Sequence, residues 1–387
     1  MKIFENIVGQ SEVVSILERA IQESRKSEVE NQEMTHSWLF TGPSGSGKST
    51  TANAFAAALV CPNNGCANCV DCETAINGSH LDIEILKTEG LSIKIDEVRD
   101  LLSRSATSPS VSNWRIILIH DIQRLTESAA NALLKAIEEP SERTIWILTA
   151  TSSMEVLPTI RSRCRNIQLK ILTKESIVKL LNEKHQVKFE IAEYSARVSL
   201  GDLSRAISIS QNPEAIVRRN QIIDLIFSIK DSATAFKVAS RINELVDEEV
   251  QLVTQSLDHK ELSQLKSSFQ GSGRSLITGK TKEIKVLEKN QKFRLTRLKH
   301  ELLDRLLLDI FSLFRDIMII QIGYQNNLVN IEKLQLLMDF AKFNSYIEIN
   351  EFIEQITNAR VSLKESSSFL LILENLMNEI IKLVPKQ

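Results

Sequence analysis

The chain has 387 residues, is 43% hydrophobic and 25% charged, and carries a formal net charge of −2. That is the composition of a globular protein too long for one core, so roughly two or three domains are expected. Near-neutral charge excludes a protein that grips a long stretch of nucleic acid by charge alone. No apolar run reaches the length of a membrane span and Met1–Glu5 lacks a signal-peptide core, so a cytoplasmic protein without a membrane partner is expected.

Ile7-Val8-Gly9-Gln10 opens the chain, and Val13, Val14, Leu17 and Ile21 follow at helical spacing. Residues 22–36 are polar and read as a loop. Ser37-Trp38-Leu39-Phe40 is apolar enough for a buried strand, and Thr50 to Leu59 is an alanine-rich helix. Between them stands Gly42-Pro43-Ser44-Gly45-Ser46-Gly47-Lys48-Ser49, a complete G-x-x-x-x-G-K-[ST] loop in strand–loop–helix context. The glycines let backbone N–H groups curl around phosphates, the helix N-terminus adds its positive end, Lys48 reaches the β/γ oxygens and Ser49 holds Mg²⁺. With Thr50 beside it, the loop predicts a site for a purine nucleotide triphosphate, ATP or its product ADP.

Four of the five cysteines, Cys61, Cys66, Cys69 and Cys72, follow that helix as C-x₄-C-x₂-C-x₂-C. Clustering between 61 and 72 is not the spacing of a disulfide scaffold. Four thiolates on tight turns suit one tetrahedral Zn²⁺, with Asn63-Asn64-Gly65 supplying the turn. An iron–sulfur cluster uses the same ligands, but no redox motif accompanies them, so structural zinc is preferred, with unligated thiols the remaining option. Such a closed site folds a segment with little core of its own and catalyses nothing.

Leu81–Leu86 alternates as a strand does, and Ile95, Val98 and Leu102 mark one face of a helix. Arg115–Ile119 is a continuous apolar run ending in His120-Asp121, and Thr144–Thr151 is another. Both read as central parallel strands, with a helix from Glu127 to Glu139 between them that Pro140 halts. Strands alternating with helices after a phosphate loop give an α/β domain with a mostly parallel sheet. From Leu172 onward the chain is almost wholly helix-periodic. Gly201-Asp202 closes a first small helical block, and Ser267–Arg274 is polar and glycine-containing, as a mobile loop would be. Leu303, Leu306, Leu307, Ile310, Phe314, Ile317 and Met318 then line one long helix, with two more helices around Phe352–Ile356 and Phe369–Leu383. Lys280, Lys282, Lys285, Lys289, Lys292, Arg294, Arg297 and Lys299 give the region a basic bias, which reads as a solvated face before it reads as a DNA contact.

Three segments together carry a family resemblance: the cysteine array one helix after the loop, Asn131-Ala132-Leu133-Leu134-Lys135-Ala136-Ile137-Glu138-Glu139-Pro140, and Arg161-Ser162-Arg163-Cys164-Arg165. Over residues 3–170 the chain resembles the AAA+ clamp-loader subunits of bacterial DNA polymerase III. Gly90–Arg99 resembles the segment that follows the zinc module in this family, and Leu125–Asn131 resembles the delta-prime type in particular. The resemblance implies an α/β AAA+ domain at 1–170 with an inserted zinc module at 61–72. It implies an all-α lid at 171–214 and an all-α collar at 215–387 that joins subunits. Arg163 then matches the arginine finger that one subunit inserts into its neighbour's ATP site, where a guanidinium neutralises charge on the transferring phosphoryl group. Thr151 falls near the family's nucleotide-sensing residue.

Two departures matter. A motor subunit of this family ends its central strand in Asp-Glu, but this chain has His120-Asp121. Imidazole is a poor ligand for Mg²⁺, which leaves Asp121 as a degenerate catalytic carboxylate. Ser204 also stands where the second-sensor arginine is expected. The resemblance therefore implies a subunit that binds nucleotide, hydrolyses it weakly or not at all, and supports ATP-driven loading of the sliding clamp onto primed DNA beside gamma/tau and delta-type subunits. The alternative is a gamma/tau-type ATPase, which the intact loop favours and His120 opposes. A small-molecule kinase lacks a recognisable substrate lid here, and a zinc-finger DNA reader lacks a basic recognition helix. Nothing in the chain resembles a two-metal polymerase site.

Overall fold

The apolar runs become the strands of one five-stranded sheet, and their burial follows their place in it. In the computed structural model, which describes residues 1–25, 34–86, 88–268, 277–324, 327–364 and 368–384, the strands are β1 (Ser37–Thr41), β2 (Ile83–Leu86), β3 (Arg115–Ile119), β4 (Thr144–Ala150) and β5 (Arg165–Gln168). They lie in the order β2-β3-β4-β1-β5, and every neighbouring pair is parallel. The three inner strands β3, β4 and β1 are buried at every residue, because helices cover both faces. The outer strands β2 and β5 are only partly buried, with Glu84 and Ile85 of β2 and every residue of β5 but Ile167 reaching solvent, which is why their sequences look more polar.

The contacts divide the chain into two units, Met1–Gln211 and Asn212–Gln387. In the first, strand pleating sends Trp38 and Phe40 to one face of the sheet and Leu39 to the other. On the first face they meet α1 (Ser11–Glu23) and α2 (Lys48–Val60), with the rings of Trp38 and Phe55 edge-on at 4.9 Å. The alanines of α2 bring that helix close to the sheet, and ten of its thirteen residues are buried. On the second face Leu39, Ile117, Ile119 and Leu148 meet α4 (Ile95–Ser105) and α5 (Glu127–Glu138). Val98, Leu101 and Ser105 of α4 are buried, and Ile95 and Leu102 of the expected face pack half-buried against the same core. A short α3 (Val70–Ile76) lies in the cysteine segment, and α6 (Pro158–Arg161) precedes β5.

Three helices complete this unit: α7 (Lys174–His185), α8 (Phe189–Val198) and α9 (Leu203–Gln211). They enclose an apolar cluster of their own, Leu172, Ile177, Leu181, Ala192, Ala196 and Ala206. The Thr173 hydroxyl caps α7 by accepting the Ser176 N–H at 3.2 Å. The second unit is entirely helical among its described residues: α10 (Pro213–Phe227), α11 (Ser232–Ser268), α12 (Ile277–Gln321), α13 (Leu334–Phe343), α14 (Tyr346–Lys364) and α15 (Phe369–Ile380). Leu303, Leu306, Leu307, Ile310, Phe314 and Ile317 form the buried stripe of α12, while Met318 is half-buried at its edge. Phe314 packs on Phe352 of α14 at 4.4 Å. A buried polar cluster pins the segment after α12. The Asp316 carboxylate accepts the N–H groups of Val329 and Asn330 at 2.9 and 2.7 Å, and Arg219 donates to Asp309 and Asn330.

The expected unbroken loop at 22–36 begins later, because α1 runs to Glu23; residues 26–33 lie outside the described residues. Likewise α11 occupies 267–268, and the rest of the expected loop lies within 269–276, which is also outside them. Of the basic run, Lys285, Lys289 and Lys292 are exposed, but Arg294 is bidentate to Glu261 and Lys299 pairs with Asp247. The side chains of Lys280 and Lys282 lie outside the described residues.

Candidate nucleotide site and four-cysteine cluster

The phosphate loop runs from β1 into α2, so its sequence dictates its shape locally. Gly45 and Gly47 adopt φ of +71° and +85°, values open to glycine at little cost. Ser46 N–H closes a turn on the Pro43 carbonyl at 3.2 Å, and Gly42 N–H donates to the end of β4 at Ala150. Lys48, Ser49 and Thr50 form the first turn of α2, with Lys48 buried and the other two exposed. Pro43 and Ser44 are exposed at the rim. Lys48 Nζ donates to the Pro43 carbonyl at 3.4 Å. Burial lowers the pKa of its ammonium, an effect opposed by the carboxylates of Asp121, Asp202 and Glu155. Ser46 Oγ and Thr51 Oγ1 are buried without a hydrogen-bond partner among the described residues, as polar atoms beside a ligand site would be.

His120 and Asp121 stand at the tip of β3, separated from β1 by β4. Thr149 of β4 ties them together. Its hydroxyl accepts the Asp121 N–H at 3.1 Å and lies 3.5 Å from His120 Nδ1. Asp121 has a φ of +54° and faces Arg124 at 3.9 Å. Thr151, just past β4, donates its hydroxyl to Glu155. Sequence reasoning missed Gln10. Buried beneath the loop, it donates to the carbonyls of Lys170 at 2.8 Å and Ser46 at 3.5 Å, and accepts the Lys170 N–H at 3.2 Å. A glutamine just before the first apolar helix was the one available signal.

The Gly201 turn places the start of α9 against the loop. Leu203 N–H donates to the Gly45 carbonyl at 3.3 Å, and Asp202 Oδ1 accepts the Arg205 N–H at 2.9 Å as the helix cap. Ser204 is exposed and Arg205 is buried. Arg163 follows α6, where its guanidinium donates to the Thr159 carbonyl at 2.8 Å and pairs with Glu138 at the end of α5. Its side chain remains 38% exposed, enough to meet another molecule. Neighbouring Cys164 is half-buried, and burial pushes its thiol up to about 12.

Cys61, Cys66, Cys69 and Cys72 converge so that their sulfurs all lie within 4.8 Å of one another. Cys61 Sγ is 3.7 Å from Cys66 Sγ and 3.6 Å from Cys69 Sγ. A tetrahedral ion with metal–sulfur bonds of about 2.3 Å has ligand–ligand edges of roughly 3.8 Å, so the donor set fits such an ion. Asn64, Gly65 and Ala67 take left-handed φ to make the turns. The Cys69 sulfur accepts the Cys72 N–H at 3.4 Å at the start of α3, and Asn63 N–H reaches Cys61 Sγ at 3.3 Å. The backbone N–H of Asn68 does most to lower the Cys66 thiol to about 6, whereas burial raises those of Cys69 and Cys72.

Residues 17–173 match the family described as DNA polymerase III, delta subunit. The tau subunit of DNA polymerase III from Bacillus subtilis is 32% identical over 216 residues, 53% of this chain and 37% of that protein. The delta' subunit of the same organism is 28% identical over 203 residues, 51% of this chain and 60% of that one. The gamma subunit from Buchnera aphidicola of Acyrthosiphon pisum is 32% identical over 183 residues, covering 46% and 48%. The chain thus spans between about a third and three-fifths of these relatives. A solved structure of a DNA polymerase III gamma subunit-related protein from Thermotoga maritima aligns with 95% of this chain and 98% of its own, at 15% identity and a TM-score of 0.44. Among the described residues no helix is long and apolar enough to cross a membrane.

Proposed function

We propose that this chain is a delta-prime-type clamp-loader subunit of DNA polymerase III acting chiefly in trans, a reading supported by the match of residues 17–173 to the delta subunit family and by the similarity to tau and delta' subunits. It binds ATP or ADP, with Mg²⁺, through Gly42–Thr50. It presents Arg163 to the ATP site of a neighbouring gamma/tau subunit, and so supports loading of the sliding clamp onto primed DNA in the cytoplasm. One observation carries the reading: an intact phosphate loop faces a β3 tip that holds His120 and Asp121 in place of two carboxylates. A neutral imidazole does not steer Mg²⁺, and the shorter Asp121 is turned toward Arg124. Binding survives this arrangement better than hydrolysis does.

The four cysteines hold one structural Zn²⁺. Their spacing fits it, and as a closed site it stabilises the segment between α2 and β2. The separate cluster of α7–α9 supports a lid at 171–214, and the all-helical second unit supports a collar at 215–387. Thr151 lies at the end of β4, where a polar side chain could sense the nucleotide. The second reading, a gamma/tau-type ATPase working on its own, has the intact loop in its favour.

The test is to reconstitute the chain with gamma/tau and delta-type subunits, sliding clamp and primed DNA, and to measure stimulated ATPase. Arg163→Ala is expected to lower the rate by roughly a hundredfold or more, as arginine fingers do, while Lys48→Ala leaves most of it. The opposite pattern would make this chain the motor.

A further inference from the structure

Asp202 rests directly on the apex of the phosphate loop. A Cβ placed on Gly45 would lie 2.2 Å from Asp202 Oδ1 and 2.3 Å from its Cα and Cγ, so even a methyl group has no room between them. The contact is also held in place. Leu203 N–H donates to the Gly45 carbonyl at 3.3 Å, and the Asp202 carboxylate is fixed by accepting the Arg205 N–H at 2.9 Å. Asp202 follows two consecutive left-handed residues, Leu200 at φ +55° and Gly201 at φ +87°. Leucine is strained in that region, which marks the turn as a place where conformational energy is stored.

The charge of Asp202 acts where phosphates would bind. With Asp121 and Glu155 it is one of three carboxylates whose field stabilises the Lys48 ammonium. A polyphosphate arriving at Lys48 meets that same negative field. Asp121 sits at the β3 tip and Glu155 beyond β4, so both belong to the sheet side of the site. Asp202 alone belongs to the α7–α9 block, and it alone can leave with a helix.

We propose that Asp202 is a gate on the phosphate loop: seated on Gly45 it opposes entry of the nucleotide polyphosphate, and binding requires the Leu200–Leu203 turn to lift from the loop. The gate rests on the reading of Gly42–Thr50 as a nucleotide site and adds its regulation. Occupancy of the loop is then coupled to the position of α9, because Gly45 cannot keep its contacts with Asp202 and Leu203 while the turn moves.

The experiment titrates the full chain with a fluorescent ADP in the presence of Mg²⁺, for wild type, Asp202→Ala, Asp202→Asn and Lys48→Ala. Amide exchange of residues 200–206 is followed with and without ADP. Asp202→Ala is expected to tighten binding by about tenfold, the scale of removing one nearby like charge. Asp202→Asn keeps the helix cap and the bulk, guards against loss of folding in the alanine variant, and is expected to give a smaller gain that shrinks with added salt. ADP is expected to speed exchange at the Leu203 amide in the wild type. If wild type, Asp202→Ala and Asp202→Asn bind alike while Lys48→Ala does not bind, the gate is overturned and the nucleotide site stands. Weaker binding by both Asp202 variants would make Asp202 a positioning residue and overturn the gate as well. If none of the four proteins binds, the nucleotide reading itself fails, and the gate with it.

Discussion

Gly45→Ala and Gly47→Ala make a matched pair that isolates the packing of the loop apex. Both glycines are left-handed, at φ +71° and +85°. Alanine there costs about 1 kcal/mol in backbone strain, reduced by about 0.5 kcal/mol because alanine also restricts the unfolded chain. At Gly47 nothing lies within 4 Å of the added Cβ, so strain is the whole effect and a loss of about 0.5–1 kcal/mol is expected. At Gly45 the Cβ overlaps Asp202, including its Cα at 2.3 Å, and backbone cannot swing aside as a side-chain tip can. Such forced overlap adds about 1–3 kcal/mol, so Gly45→Ala should cost about 3 kcal/mol. The difference of about 2 kcal/mol is roughly thirtyfold in the folding equilibrium. The assay is urea unfolding followed by tryptophan fluorescence. All three tryptophans, Trp38, Trp114 and Trp146, lie in the first unit, so the signal reports that unit without the helical second one. With a slope of about 2 kcal/mol per molar urea, the midpoints should fall by roughly 0.5 M for Gly47→Ala and roughly 1.5 M for Gly45→Ala. Equal midpoints would refute the close contact between Gly45 and Asp202.

Asp82 is wholly buried, and burial by itself would raise its pKa. The N–H groups of Ser110, Val111 and Ser112, at 2.6, 2.8 and 2.7 Å, outweigh that and hold it below the ordinary carboxylate range. A depressed folded pKa contributes stability that is present above the unfolded value near 4 and is lost as pH falls through the lower folded value. Asp82→Asn should therefore cost about 2 kcal/mol at neutral pH, and its deficit relative to wild type should narrow in acid unfolding below about pH 4. A deficit constant across that range would exclude the charge as its source. Metal analysis of the purified chain should return one zinc per molecule, and Cys72→Ser or a strong chelator should raise amide exchange across 61–77 while β1, β3 and β4 stay protected. Uniform loss of protection across the sheet would mean that the ion supports the whole unit rather than its own segment.

The sequence by itself determined most readily the features whose parts are neighbours along the chain. The phosphate loop was legible because Gly42–Ser49 sits between an apolar run and an alanine-rich one, and the strain at Gly45 and Gly47 is relieved by the residues' own identity. The cysteine cluster was legible because Cys61, Cys66, Cys69 and Cys72 reach one another across turns of two to four residues. The inner strands announced themselves as unbroken apolar runs, since burial on both faces leaves no polar alternation. In α4 Leu101 joins the expected Ile95, Val98 and Leu102 in the core and is buried more deeply than Leu102, because facing side chains settle how far each of two adjacent positions turns inward.

What only the tertiary structure decided was which distant residues share a place. The order β2-β3-β4-β1-β5 puts β4 between the loop and the tip of β3, so Thr149 of β4 becomes the common partner of His120 and Asp121. The basic run of α12 reads as a solvated face, yet Arg294 finds Glu261 and Lys299 finds Asp247 on α11, and paired charges are not written into a local pattern. Gln10 bridges to Lys170, and Asp202 comes to rest on Gly45. Local propensity is summed along the chain, whereas these contacts depend on how strands are ordered and helices packed, and a single sequence carries no local sign of that.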